Sequence, residues 1–289
     1  MSADSILFDQ PGPRARRRHA VVAVAGGVVL LGALVWALTR MADRGNLTAA
    51  KWRPVLAGDT WSQYLVPGLV GTLEAAAISI VLAMALGLLL GMGRLSEHRP
   101  LRWVCSVFVE FFRAVPVLLM MIFAFNLYAV YQVFDADHLA LAGVVTGLTF
   151  YNAAVVAELV RAGVGSLPAG QREAGLSVGL TPVQTLRSVL LPQALTAMLP
   201  AIVGQLVVVV KDSALGSIIT YVELLAQGQT LGTARADVVP ALILVGAIFV
   251  VVNYLLTVLA GRVERRMRLR GHTSARAVPE APGQAPVAG

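Results

Sequence analysis

Residues Leu65 to Met92 read LVPGLVGTLEAAAISIVLAMALGLLLGM, 28 positions with a single charge, Glu74. The run exceeds the roughly 20 residues that an α-helix needs to cross the hydrocarbon core of a bilayer. Lipid offers no hydrogen bonds to the backbone, so a spanning segment must satisfy its own N–H and C=O groups, which a helix does. Five further apolar runs flank this one, at about 20–38, 104–130, 139–160, 194–210 and 238–260. The 104–130 run carries Glu110, Arg113 and Pro116 in its first half, and the 194–210 run is short enough to need residues from its flanks. The chain as a whole is 57% apolar and 13% charged over 289 residues. Soluble domains carry about 25% charged residues. The reading is an all-α membrane protein with about six transmembrane helices.

The first run follows Arg14, Arg16, Arg17 and Arg18. A basic start before an apolar run is also the layout of a secretory signal. Here the run is long for that purpose, and Trp36-Ala37-Leu38-Thr39-Arg40 is unlike a cleavage site. It reads as an uncleaved additional helix, 20–38, behind a basic tail, 1–19.

The remaining charges set the orientation, because basic residues collect on the cytoplasmic side. With the N-terminus inside, the inner segments hold Arg14, Arg16, Arg17, Arg18, Arg94, Arg99, Arg102, Arg161, Arg172, Arg187 and six arginines from Arg262 to Arg276. The outer segments hold Arg40, Arg44, Lys51, Arg53, Lys211 and Arg235. Both ends are therefore expected in the cytoplasm. The net charge of +7 reflects membrane topology and gives no reason to expect nucleic-acid binding. The residues from 271 to 289 are rich in Ala, Pro and Gly and read as a disordered cytoplasmic tail.

The connection between the fourth and fifth runs is about 30 residues long and faces the cytoplasm in this orientation. It is punctuated for two short helices. One runs from about Ala169 to Val178 with Gly179 as its stop. The other has Thr181 as N-cap, Pro182 at the first helical position, and an end before Pro192. Leu176, Val178 and Leu180 are apolar within it, as expected of a docking surface.

Glu173-Ala174, then Gly179, then Val189-Leu190-Leu191-Pro192 resembles the EAA loop of ABC importer permeases, with the spacing kept. Gly175 stands where that pattern has a second Ala, and Val189 where it has Ile. Further stretches resemble the polar amino acid branch of the same family: Gly68-Leu69-Val70-Gly71-Thr72-Leu73, Val109 to Pro116, Glu158 to Gly163, Leu167 to Ala174, Pro192 to Leu195, and Lys211-Asp212-Ser213-Ala214-Leu215. The last departs from its pattern, with Ser213 and Ala214 in place of Thr and Ser. The resemblance covers residues 65–261 and implies a type-1 permease domain in a bacterial plasma membrane. It implies that the 167–192 loop couples to a cytosolic ATPase through Gln171, Glu173, Ala174, Gly175, Gly179 and Pro192. The implied partners are a pair of ATPase subunits, which bind the ATP, a second permease subunit, and an extracytoplasmic amino-acid-binding protein. The implied cargo is a polar amino acid, glutamate first.

Charges inside the apolar runs should be paired, interfacial or functional, since one at the bilayer centre costs roughly 2.5–3.5 kcal/mol. Glu110 with Arg113, and Glu158 with Arg161, sit three residues apart and can pair along a helix in a structural or gating role. Glu74 lies near an outer helix end. Lys211, Asp212 and Ser213 follow the fifth run, where Asp212 or Ser213 can cap a new helix after a break lining the path. Asn126 and Asn152 can bond a neighbouring helix or face the path.

The chain holds no G-x-x-x-x-G-K-[ST] phosphate loop. Its one cysteine, Cys105, and four scattered histidines suggest neither a disulfide nor a metal cluster. The chain therefore reads as a non-enzymatic subunit without a cofactor of its own. An ion-gradient-driven transporter is the alternative, but it would need a carboxylate deep in the membrane.

Overall fold

A computed structural model describes residues 12–275. Residues up to Ala57 and those from Gly58 onward form two compact units. In the first, α1 (Pro13–Asp43) is a 31-residue helix that starts on Pro13. At 1.5 Å per residue it is about 46 Å long, enough to cross a bilayer and carry Arg14 to Arg18 beyond it. Its large apolar side chains from Val21 to Leu38 are exposed. A turn at Gly45, with φ of +67°, leads to α2 (Ala49–Leu56). Asn46 holds that turn by accepting from Lys51 Nζ at 2.8 Å and Trp52 Nε1 at 2.9 Å.

The second unit begins with α3 (Gly58–Thr60) and a π-helical turn, Trp61–Leu65, which run into α4 (Val66–Arg94). Then come α5 (Arg99–Ala114), α6 (Val117–Val130), α7 (Ala136–Gly165), α8 (Ala169–Ser177) and α9 (Pro182–Thr185). A second π-helical turn, Leu186–Leu190, continues into α10 (Leu191–Asp212), followed by a 3-10 turn over Ser213–Ile219. The short α11 (Leu224–Ala234) and the long α12 (Val238–Ala275) complete the unit. Among the described residues, five helical stretches are long and apolar enough to cross a membrane, and the bent pair α5–α6 makes up to six.

Three elements differ from the sequence reading. The 104–130 run is two helices meeting at 100°, because Val115 is extended and Pro116 opens α6 without an N–H to continue α5. The helix begun at Pro182 does not stop before Pro192: the π-helical turn Leu186–Leu190 carries it into α10, and the wider turn accommodates the donor that Pro192 lacks. The tail expected from 271 is helical to Ala275, while 276–289, like residues 1–11, lies outside the described residues.

Helix α4 packs most closely on α7, through small residues. Lipid-exposed helices gain nothing from hydrophobic exclusion of one another, so close backbone approach must supply the contact. Ala83, Gly87 and Gly91 follow at four-residue spacing and lie on one face. A Cβ on Gly87 would sit 2.6 Å from Val156 Cβ, and one on Gly91 2.9 Å from Val160 Cβ. The main core joins Ala75, Ala76, Met121, Val144, Leu148, Val209, Val210 and Tyr221. A smaller cluster of Val109, Ala154 and Ala157 lies between α5 and α7.

Gly87→Val therefore forces α4 and α7 apart. Overpacking of this kind costs about 1–3 kcal/mol, and the detergent-purified protein should melt at a lower temperature than wild type. Gly246→Val, on α12 where an added Cβ meets nothing within 4 Å, should leave the melting temperature close to wild type.

Candidate functional site

Two regions gather the polar residues of the bundle. At the Arg94 end, five charged side chains from three helices interlock. Arg94 Nη1 donates to Glu158 Oε2 at 2.7 Å and Arg94 Nη2 to Glu110 Oε1 at 3.1 Å. Arg113 lies 3.6 Å from Glu158 and 3.8 Å from Glu110. Arg161 donates to Glu158 Oε1 at 2.5 Å. The two expected pairs are thus one network in which Glu158 meets all three arginines, and Arg94, read from sequence only as a topology charge, joins its two carboxylates. Its place on the buried face of α4, three residues after Gly91, was the available signal.

The 167–192 segment leaves α7 at this end. Glu173, Ala174 and Gln171 on α8 are exposed, as are Leu176 and Val178. Gln171 also accepts from Gln193 Nε2 at 3.1 Å, tying α8 to α10, and Arg172 pairs with Glu97 at 3.2 Å. Gly179 ends the turn with φ of +85°, a left-handed conformation in which side chains are strained. Its N–H donates to Leu176 O, and that of Leu180 to Gly175 O. Thr181 forms a complete capping box with Gln184. Gly175 is buried against Thr185: a Cβ there would lie 2.6 Å from Thr185 Cγ2. The departure from the EAA pattern at Gly175 thus has a packing reason.

At the opposite end, Glu74 and Lys211 are exposed on membrane-spanning helices, with no ion pair to a described residue. Ala75 and Val210, their chain neighbours, both belong to the main core. Asp212 and Ser213 do not cap a new helix: the chain runs through them without a break, and the buried Ser213 hydroxyl donates to Val210 O at 2.7 Å. Asn126 is exposed and donates to its own Ile122 O. It lines an apolar cavity of about 750 Å³ with Phe111, Phe123 and Tyr128. Asn152 is buried and accepts from Gln205 Nε2 at 2.6 Å, a link from α7 to α10. Gln205 is the one amide side chain in the 194–210 run, and that is the signal for it in the sequence.

Helix α11 folds back onto α4 between two membrane spans. Tyr221 OH donates to Gly71 O at 2.8 Å and Leu224 N to Thr72 Oγ1 at 3.1 Å. Glu223 is fully buried and caps α11, accepting from Leu225 N at 2.7 Å and Ala226 N at 2.6 Å. Burial pushes its carboxyl up to about 7, against the pull of those two N–H donors.

A bundle of membrane-spanning helices that projects a stiffened, exposed helix–turn–helix from one end is a multi-pass membrane protein. Residues 79–269 match the family described as binding-protein-dependent transport system inner membrane component. The chain belongs to that family and is the permease subunit of an ABC amino acid importer. Such permeases are not ATPases themselves; the ATPase is a separate subunit. The chain is 46% identical over 247 residues to the glutamate transport system permease protein GluD of Corynebacterium glutamicum, covering 84% of this chain and 90% of that one. It is 31% identical to the arginine transport system permease protein ArtQ of Bacillus subtilis, over 71% of this chain and 93% of that one. A crystal structure of an amino acid ABC transporter with histidines superposes with a TM-score of 0.65 at 27% identity, covering 72% of this chain and 95% of that one.

Two outcomes follow from this geometry. Gly175→Ala should destabilise the α8–α9 turn by about 1–3 kcal/mol through overpacking, and Thr185→Ser, which removes Cγ2, should restore it. Limited proteolysis of the 167–192 segment reads both. For Glu223, the folded carboxyl binds its proton more tightly than an ordinary one at 4.5. Stability contributed by the neutral form is then lost as pH rises from about 4.5 to about 7, and no further above that. Glu223→Gln should remove this decline from melting curves recorded across the same range.

Proposed function

We propose that this subunit carries an acidic amino acid, glutamate first, into the cytoplasm by ATP-driven alternating access. The observation that carries the substrate is the 46% identity to a glutamate permease over 84% of this chain. The Arg94 end faces the cytoplasm in this reading, with both termini, and supports it through the concentration of basic residues there.

The exposed face of α8, with Glu173 and Ala174, docks on a cytosolic ATPase subunit. Two such subunits bind ATP and draw together, moving the 167–192 segment. Gly179 sets the turn that presents α8, Gly175 keeps α8 against Thr185, and Gln171 ties it through Gln193 to α10, which Pro192 opens. A second permease, identical or related, completes the path, and an extracytoplasmic binding protein delivers the amino acid to the Lys211 end. Glu74, Asn126, Lys211, Asp212 and Ser213 belong to or border the translocation path in this reading. Lys211 supplies positive charge for a carboxylate and Glu74 negative charge for an ammonium group.

The test is uptake of radiolabelled amino acids into proteoliposomes holding the whole complex, with ATP enclosed or withheld. Wild type should take up glutamate ahead of arginine and histidine, and only with ATP. Glu173→Lys reverses the charge on the docking face, and Gly179→Val places a branched side chain at a left-handed position, costing ~1–2 kcal/mol. Both should insert normally, co-purify less ATPase and lose uptake. Wild-type transport in both variants would remove the coupling assignment. ATP-independent uptake would remove the ABC mechanism.

A further inference from the structure

Movement of the 167–192 segment has to reach the membrane helices by some mechanical route. Direct packing onto the α4–α5 turn is a poor one. A cavity of about 290 Å³ separates the two, lined by Leu95, Glu97, Leu167, Arg172, Val183 and Leu186 among others. The Arg172–Glu97 pair bridges it with side chains 59% and 61% exposed, and exposed pairs of this kind hold weakly.

The route along α7 is different. Helix α7 runs straight into the segment at Gly165, seven residues after Glu158. Glu158 is gripped by Arg94, and the same guanidinium reaches Glu110 on α5. The Arg94 side chain is 9% exposed. Its two carboxylate partners directly follow Val109 and Ala157 of the cluster that already joins α5 to α7. Arg113 also reaches both carboxylates, at 3.6 and 3.8 Å, but its side chain is 40% exposed, so the closer and more buried Arg94 is the stiffer tie between the two helices. The planar fork matters as well, because its two Nη atoms point at two carboxylates on two helices, which a single ammonium cannot reproduce. Beyond Glu110, α5 meets α6 at the 100° bend, and α6 carries Asn126.

We propose that Arg94 is the positioning residue that carries motion of the 167–192 segment from α7 into the α5–α6 bend. This rests on the ATP-driven import reading given above. The bend is the compliant joint, the cavity leaves the segment room to move, and Arg94 is the stiff cross-tie between them.

The test measures glutamate uptake and ATP hydrolysis together, in proteoliposomes holding the whole complex with its binding protein. Arg94→Lys keeps the charge and loses the fork, while Arg94→Ala loses both. Hydrolysis should continue in each, and amino acid carried per ATP should fall about fivefold or more, the lower bound of usual coupling between sites. Arg94→Lys should keep more of the ratio than Arg94→Ala. An unchanged ratio in both variants overturns the proposal. So does a parallel fall of uptake and hydrolysis, which would mean a merely structural role. If neither variant assembles with the ATPase, Glu110→Gln decides, since that side chain is 61% exposed: a reduced ratio supports the cross-tie and an unchanged one overturns it. A wild-type complex without ATP-driven uptake would sink the import reading, whereas coupled wild type with equally coupled Arg94 variants sinks the cross-tie alone.

Discussion

The close approach of α4 to α7 is the contact on which the rest of this bundle depends. In lipid it cannot come from burying large apolar side chains, since hydrocarbon outside is as apolar as the interface. It comes from Ala83, Gly87 and Gly91, which let Val156 and Val160 settle against the backbone of α4. The same face continues outward through Ala75, Ala76 and Thr72 to Gly71 and Gly68, where α11 folds back so tightly that a Cβ on Gly71 would lie 2.1 Å from Val222 O. In the other direction it ends on Arg94. One stripe of small residues thus seats α7, seats α11 and aims the guanidinium at Glu158.

That stripe explains which features were legible beforehand. Spans longer than the bilayer core read directly from hydropathy, and the turn at Gly179–Pro182 reads from its Gly, Thr and Pro. Side-chain direction does not read so easily. Arg94 lies at the edge of a span, where an arginine counts as a topology signal, and its partners are 16 and 64 residues away. Hydropathy also ran unbroken through Pro116, because a bend changes the path of the chain without changing its polarity. Pro192 acts in the opposite direction: a proline within a helix usually breaks it, but the π-helical turn just before Pro192 lets the helix continue. Glu223 was invisible for a third reason. A carboxylate between two spans looks solvated, and only the fold of α11 onto α4 shows that it is buried as a cap.

The 167–192 segment shows how a local departure from a pattern can be a tertiary fact. Where the resemblance expects alanine, Gly175 leaves space for the Thr185 methyl. The pair is an internal contact between α8 and α9, on the side away from the exposed Glu173 and Ala174. Stiffness inside the segment is then built from the capping box at Thr181, the Gly175–Thr185 contact and the Gln171–Gln193 bond. The face left free is the one that the proposed ATPase would meet.

The two ends of the bundle treat charge in opposite ways. At the Arg94 end, three arginines and two glutamates pair with one another within the chain. At the other end, Glu74 and Lys211 project from spanning helices with no ion pair to a described residue. Facing hydrocarbon, each would cost roughly 2.5–3.5 kcal/mol if it lay near the bilayer centre. A helix bundle that pairs five charges at one end has the means to neutralise two more, by pairing or by replacement with apolar residues. Charges left open on spanning helices are better explained by a polar surface beside them than by lipid. A second permease enclosing an aqueous path would provide that surface, and a zwitterionic cargo with an acidic side chain carries groups of both signs to meet it.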